Sequence, residues 1–240
     1  MTESPPDIEN DPIAESELRL VTGSRLHFGL LDTVDPFGGV GAMIDQPRTE
    51  VLISPATVFE YVGPAIERAK QIAVRVSATA GMASGLPPCR IAVPQHAPRH
   101  CGLGSGTQLA MAIAEGLCRF LNLSVSPSQL ALDVADRGKR SAVGVHGYFE
   151  GGLIFEESDG HQPLNPVRRR VEMPEDWCVA VLRPPSAKPL VHGAAEMEKF
   201  EGLPESDPDI VEEIRQLASG ELIEAAVRMD FSAFSNTVGR

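Results

Sequence analysis

The stretch Pro98-Arg99-His100-Cys101-Gly102-Leu103-Gly104-Ser105-Gly106-Thr107-Gln108 constrains this chain more than any other segment. Before it, Ile91, Ala92 and Val93 form an apolar run; after it, Leu109, Ile113, Leu117, Phe120 and Leu121 recur at helical spacing. These patterns predict a buried strand, a glycine loop and a helix N-terminus. Such a junction favours an anion: glycines let backbone N–H groups approach closely, the first helical turn leaves donors unpaired, and the helix dipole adds partial positive charge. Gly102, Leu103, Gly104, Ser105, Gly106 and Thr107 are therefore the expected phosphate-binding segment. The Ser105 and Thr107 hydroxyls could donate to the phosphate, or Ser105 could ligate a Mg2+ ion carried with it. At this point a plain tight turn with Ser105 as N-cap fits the same residues.

Two nucleotide-binding classes are excluded by spacing. A Walker A loop needs Lys followed by Ser or Thr after its second glycine block, whereas Gly106 is followed by Thr107 and Gln108. The dinucleotide fingerprint places its glycines as GxGxxG, and here they alternate.

The rest of the chain can be read outward from this loop. Residues 1–17 hold six acidic residues, no Lys or Arg and three prolines, the composition of a disordered acidic tail. That tail carries half of the formal net charge of -12, and the acidic balance argues against nucleic acid or an anionic membrane as partner. Four cysteines without CxxC pairing, and no apolar run of membrane length, point to a reduced cytoplasmic setting. Cys101 lies in the glycine loop, where a thiolate is conceivable and a packing role is the simpler reading. A homodimer depends on whether Cys118 or Trp177 is exposed, and burial is expected of both.

Residues 18–22 alternate as a strand, and 23–32 continue extended or turning. Arg25 and His27 would share one strand face, and Asp32 follows within the same short span, so a cation, an imidazole and a carboxylate come close in sequence. A satisfied strand histidine and a turn-forming aspartate are the alternative. Residues 40–44 and 49–53 read as strands joined by a hairpin-like turn at 45–48, and 64–73 as a helix opening at a proline. Ser126-Pro127-Ser128-Gln129 carries a capping box, and the helix it starts ends near Gly138 with Arg137, Lys139 and Arg140. Those cations complement a helix dipole or grip a phosphate. Arg168, Arg169 and Arg170 read as a solvated turn, residues 177–182 as a buried strand opening a second lobe, and Pro184 to Lys188 as a substrate-contacting loop. Asp207-Pro208 starts a helix through Leu217, and 221–229 forms another.

PxxxGLGSG followed by an Ala-rich helix resembles the phosphate-binding loop of the GHMP kinase superfamily. The fuller HCGLGSGTQLAMAIAEGL is similar to one non-kinase branch, the beta-ribofuranosylaminobenzene 5'-phosphate (beta-RFAP) synthases. SRLHFGLLD followed by GGVGAMID resembles the opening motif of that branch. RSAVGVHGYFEGG is similar to its next motif, a loop and then a strand ending in a glycine pair, with Ala142 where the pattern has glycine. Gly193-Ala194-Ala195-Glu196 with Phe200 matches a weaker pattern. Many kinases of the superfamily place a catalytic Asp in the second of these loops, yet no carboxylate stands between Asp136 and Glu150.

The resemblance implies an α+β two-lobe fold, with a ribosomal protein S5 domain 2-like N-terminal lobe and a truncated ferredoxin-like C-terminal lobe. Its implied division is a tail at 1–17, a phosphate-binding domain at 18–175 and a partial C-terminal domain at 176–240. Members of both branches are longer, so a fragment or a short form is expected. The implied reaction joins phosphoribosyl pyrophosphate to 4-hydroxybenzoate or 4-aminobenzoate with loss of pyrophosphate and carbon dioxide, in methanopterin biosynthesis and with Mg2+. In that reading Asp32 and His27 are catalytic, and Arg25, Arg140 and Ser141 bind a phosphorylated small-molecule substrate. An ATP-dependent GHMP kinase and an inactive metabolite-binding homologue are the alternatives.

Overall fold

A computed structural model describes residues 17–34, 37–99, 101–182, 198–199, 202–204 and 206–240. The acidic tail up to Ser16, His100, the loop at 184–188, and Gly193 to Glu196 with Phe200 lie outside the described residues. Strands β1 (Leu18–Leu30), β2 (Gly39–Pro55), β3 (Glu60–Val62), β4 (Cys89–Gln95), β5 (Leu153–Glu156) and β6 (Val167–Val171) share one mixed sheet. Around it lie α1 (Ile66–Thr79), α2 (Ser105–Phe120), α3 (Pro127–Gln129, continued as a π-helical turn over Leu130–Ala135) and α4 (Val143–Glu150). Then come α5 (Pro208–Gln216), a π-helical turn at Leu217–Leu222, α6 (Ile223–Val227) and α7 (Phe231–Val238).

The long strand β2 is the spine of the sheet. β1 pairs antiparallel along one of its edges, while the other edge is divided between β5, opposite Gly39 to Ala42, and β4, opposite Glu50 to Pro55. The hairpin expected at 45–48 does not form, because both flanking segments pair with β1 in one direction: Ser24 faces Ile44 and Thr22 faces Thr49. Asp45 to Arg48 are accommodated as a bulge against the single residue Gly23, and Ser24 Oγ fixes it by donating to the Pro47 carbonyl at 2.7 Å.

Each face of this sheet carries its own core. On one face α2 is wrapped on nearly all sides: Leu109, Met111, Ile113 and Leu117 are fully buried against Ile53 of β2 and Ile72 of α1. At about 1.5–3 kcal/mol for each large aliphatic side chain removed from water, these contacts hold the helix that follows the glycine loop. On the other, Val40, Ala42, Leu153 and Phe155 pack against Leu222, Ile223 and Phe234 of the C-terminal helices.

Several local expectations need correction. The helix expected from Pro64 starts two residues later, at Ile66, with Ala65 in the left-handed region at its cap. The segment after Ala142 is the helix α4 and not a strand, and Gly151, at positive φ, ends it before β5. Arg168 to Arg170 belong to the edge strand β6, whose ladder to β5 outweighs the polarity of its exposed side chains. Residues 178–182 are exposed and form no strand; only Trp177 finds an apolar seat, with ring centroids 5.4 Å from Phe231 and 5.0 Å from Phe234. Cys118 is buried in the first core and Trp177 is partly buried on the second. Among the described residues no helix is long and apolar enough to cross a membrane.

Candidate active site

The glycine loop leaves β4 and turns into α2 at Gly104, which occupies the left-handed region at φ 65° as the N-cap. Ser105 is thus the first helical residue and not the cap. The reason is steric: a Cβ at Gly104 would stand 3.1 Å from Arg25 Cβ, and a side chain there would also be strained by the positive φ. No side chain caps the helix; Thr107 and Gln108 donate their N–H groups to the Gly104 carbonyl at 2.9 and 3.1 Å. Arg25 fastens the loop to β1 by donating its backbone N–H to the Leu103 carbonyl at 2.9 Å. Ser105 is buried, so its hydroxyl faces the interior of the junction. It offers one hard oxygen of the kind Mg2+ takes, and the remaining ligands of an ion held there would have to come from phosphate oxygens and water. Among the described residues no three His, Cys, Asp or Glu side chains gather into a metal-binding group.

Three of the substrate-site expectations meet beside this loop. His27 Nε2 and Ser141 Oγ share a hydrogen bond of 3.1 Å, and Gly39 leaves room for them, since a Cβ there would lie 3.2 Å from each. The Arg25 side chain runs between Gly104 and Gly144, on the same side of the strand as His27. Burial first, and the charge of Arg25 second, lower the His27 imidazole to about 4, so it is neutral at physiological pH. Arg140 directly precedes Ser141 in the chain and has partners of its own.

Asp32 is not bonded to this group. Its carboxylate accepts the Thr33 N–H at 2.6 Å and the Val34 N–H at 3.3 Å, the pattern of a turn-forming aspartate. Its slight burial acts to raise its pKa, but hydrogen bonds from Ser206, Thr33 and Val34 outweigh that and hold Asp32 below the ordinary carboxylate range. It is an ionised group at the end of β1.

Two buried polar side chains that border these residues were missed by the sequence reading. Glu156, the last residue of β5, is fully buried behind the Ser141 loop; its Oε1 accepts the Ala142 N–H at 3.1 Å. The Asn165 and Ser141 side chains approach it, but Oε2 lacks a well-formed hydrogen bond, and burial lifts the acid to about 7. Gln108 is also fully buried: its Nε2 donates to the Gly144 carbonyl at 2.8 Å and its Oε1 accepts the Thr22 hydroxyl at 2.5 Å. It ties the first turn of α2 to the first turn of α4 and to β1. Each had a weak signal in the sequence, a polar residue set in an otherwise apolar segment.

This arrangement of sheet and helices recurs in proteins of known structure. Residues 67–151 match the GHMP kinases N terminal domain, and the fold is shared with Streptococcus pneumoniae phosphomevalonate kinase. That likeness has a TM-score of 0.64 at 12% identity, covering 93% of this chain and 77% of the kinase. Homoserine kinase from Cytophaga hutchinsonii matches with a TM-score of 0.58 at 16% identity, over 92% of this chain and 71% of that one. The chain thus has the α+β two-lobe fold of the GHMP kinases, and its residues 67–151 match their N-terminal domain.

Along nearly its whole length the sequence is similar to synthases. The beta-ribofuranosylphenol 5'-phosphate synthase of Archaeoglobus fulgidus is 28% identical over 242 residues, covering 93% of this chain and 74% of the relative. The protein of the same name from Methanothermobacter thermautotrophicus is 25% identical, over 92% of this chain and 74% of its own length.

Proposed function

We propose that this protein is a transferase of the beta-RFAP synthase type, condensing phosphoribosyl pyrophosphate with a 4-substituted benzoate in methanopterin biosynthesis. The observation that carries this reading is the similarity to the synthases along nearly the whole chain, coinciding with a glycine loop packed against Arg25, His27 and Ser141. The relatives' name specifies a ribofuranosylphenol 5'-phosphate, which favours 4-hydroxybenzoate over 4-aminobenzoate as acceptor. In the reaction the bond from the anomeric carbon to pyrophosphate breaks, a bond to the ring carbon bearing the carboxylate forms, and that carboxylate leaves as carbon dioxide.

The chain's residues fit the demands of those bond changes. Backbone N–H groups at residues 102–106 and the Thr107 hydroxyl receive the pyrophosphate, and the Ser105 hydroxyl would contribute a ligand to accompanying Mg2+, which would neutralise charge on the leaving group. Positive charge developing at the anomeric carbon is stabilised by the ionised Asp32. Departure of carbon dioxide restores the aromatic ring without removal of a ring proton, so a neutral His27 serves by orienting the acceptor. Arg25 and Arg140 hold the anionic ends of the substrates.

The kinase reading has one specific support, that the solved structures sharing the fold include kinases. Against it stands the absence of a carboxylate in the loop before α4; Glu156, which touches that loop, is sealed from solvent. The deciding experiment follows pyrophosphate and carbon dioxide release from phosphoribosyl pyrophosphate and 4-hydroxybenzoate with Mg2+. Release by the wild type, lost in Gly104→Val and reduced in kcat more than in KM by Asp32→Asn, is the expected result. Turnover of ATP with no pyrophosphate formed from phosphoribosyl pyrophosphate would overturn the synthase reading.

A further inference from the structure

Beside the glycine loop the chain concentrates positive charge without matching it. Arg68 and Arg75 lie two turns apart on α1; Arg68 Nη1 donates to the Gly106 carbonyl at 3.1 Å, and Arg75 Nε donates to the Val134 carbonyl at 2.7 Å. Arg137 follows the π-helical turn of α3 and donates to the Asp136 carbonyl at 2.8 Å. Arg99 enters from the loop itself, and its charge is felt by Arg68, Tyr61 and His96. Among the described residues none of these four arginines is ion-paired: Asp136, the carboxylate in their midst, is held by Lys139 at 2.5 Å, and Glu67 on α1 is held by Lys70 at 2.9 Å.

This crowding is unfavourable as it stands. Burial chiefly, then the charge of Arg68, lowers the Arg137 guanidinium to about 10, and Arg68 itself is lowered by burial and then by Arg99 and Arg75; Asp136 opposes both shifts without cancelling them, one carboxylate shared among three arginines and Lys139. A guanidinium does not escape by losing its proton near neutral pH, so the repulsion persists in the folded protein. His96 adds a further polar group, with a buried Nε2 that lacks a hydrogen-bond partner. In a chain of net charge -12, such a local excess of cations needs a ligand to balance it. Planar forks converging from two helices and a loop suit a phosphoryl group, whose oxygens can accept from several at once.

We propose that Arg68, Arg99 and Arg137 form a second anion subsite beside the backbone donors of the glycine loop, one that takes the phosphomonoester end of a substrate whose diphosphate end occupies those donors. The Arg68 bond to Gly106 sets the two subsites against each other. Assigning the 5'-phosphate of phosphoribosyl pyrophosphate to this subsite rests on the function proposed above. The subsite as such rests on the unmatched charge and its position.

The test is calorimetric titration of the full chain with inorganic phosphate and with phosphoribosyl pyrophosphate plus Mg2+, on wild type, Arg99→Gln, Arg68→Gln and Gly104→Val. Arg99 is exposed and makes no hydrogen bond among the described residues, so its variant leaves the loop and the fold intact, which circular dichroism verifies. Two phosphate sites are expected in the wild type, one lost in the arginine variants and the other in Gly104→Val. Phosphoribosyl pyrophosphate should bind about tenfold more weakly to Arg99→Gln, the loss of one charge-assisted contact. Phosphate binding that is absent from the wild type, or unchanged in both arginine variants, would overturn the subsite. If phosphoribosyl pyrophosphate fails to bind the wild type while phosphate binding still depends on Arg68 and Arg99, the synthase reading falls and the subsite stands. If it binds wild type and arginine variants alike, the subsite falls alone.

Discussion

The two halves of the candidate site offer a ligand opposite kinds of group. At the glycine loop the working groups are backbone N–H donors and guanidinium ions, whose charge state does not change between acid and alkali. Around His27, Ser141 and Glu156, of which Glu156 is fully buried and the other two partly, the titratable side chains are driven toward their neutral forms, the imidazole down to about 4 and the carboxyl up to about 7. Fixed charge suits a phosphate, which must be held through turnover. A neutral imidazole beside the Arg25 guanidinium suits an aromatic acid, whose ring packs against the one while its carboxylate pairs with the other. The division lets an acidic protein set fixed positive charge and neutral polar groups side by side.

The sharpest way to break this contrast is Glu156→Gln. The folded-state pKa of Glu156 lies above its ordinary value of 4.5, so its contribution to stability is present below 4.5 and is lost as pH rises toward about 7. His27 runs the other way: its folded value lies below 6.5, so stability is present above 6.5 and is lost as pH falls toward about 4. Across the overlapping range the two offset each other. The charges that act on the pair are Arg25 of β1, on His27, and Glu157, which Arg215 of α5 holds, on Glu156. Removing the Glu156 titration should change stability relative to wild type by about 3 kcal/mol between pH 4.5 and pH 8, in favour of the variant at the alkaline end. Urea denaturation at several pH values measures this; a wild-type and variant difference that stays constant with pH would refute it.

A smaller effect is expected where the two halves are joined. Gln108→Ala leaves the Gly144 carbonyl and the Thr22 hydroxyl without their buried partner, which should lower stability by about 2 kcal/mol. Because the tie runs from the first turn of α2 to that of α4, phosphate affinity and acceptor affinity should fall together. Loss of one without the other, in parallel titrations of the folded variant, would show that the halves are independent.

The phosphate end could be read from the sequence because its determinants are contiguous: three glycines, a strand before them and a helical repeat after them. The Arg25 and His27 pair was readable for the same reason, since alternate strand residues share a face. What escaped was contact between segments far apart in the chain. Glu156 lies fifteen residues beyond Ser141, and only the antiparallel placement of β5 beside Gly39 brings it behind that loop. Gln108 was counted as part of a helix start because nothing local shows that a bulged β1 and the first turn of α4 would close over it. The hairpin expected at 45–48 failed similarly: turn-forming residues were present, but their neighbours on both sides already had a common partner in β1.

The mildest change, Ser141→Ala, addresses the pocket at its centre. Ser141 Oγ meets His27 Nε2 at 3.1 Å and accepts the Val143 N–H at 3.3 Å, while its hydroxyl also approaches Glu156. Removing one such hydroxyl should lower stability by about 1 kcal/mol, since the backbone and the packed β-carbon remain. The chemical consequence is more specific than the loss of stability. Without the hydroxyl, Glu156 loses a hydrogen bond that favours its ionised form, so its pKa should rise further, and His27 loses the partner that fixes its ring. NMR titration of the Glu156 carboxyl and the His27 ring checks both: an upward shift of the acid together with a broadened imidazole signal is expected. If the carboxyl titrates unchanged, Ser141 touches His27 alone, and the pocket is two separate contacts and not a linked set.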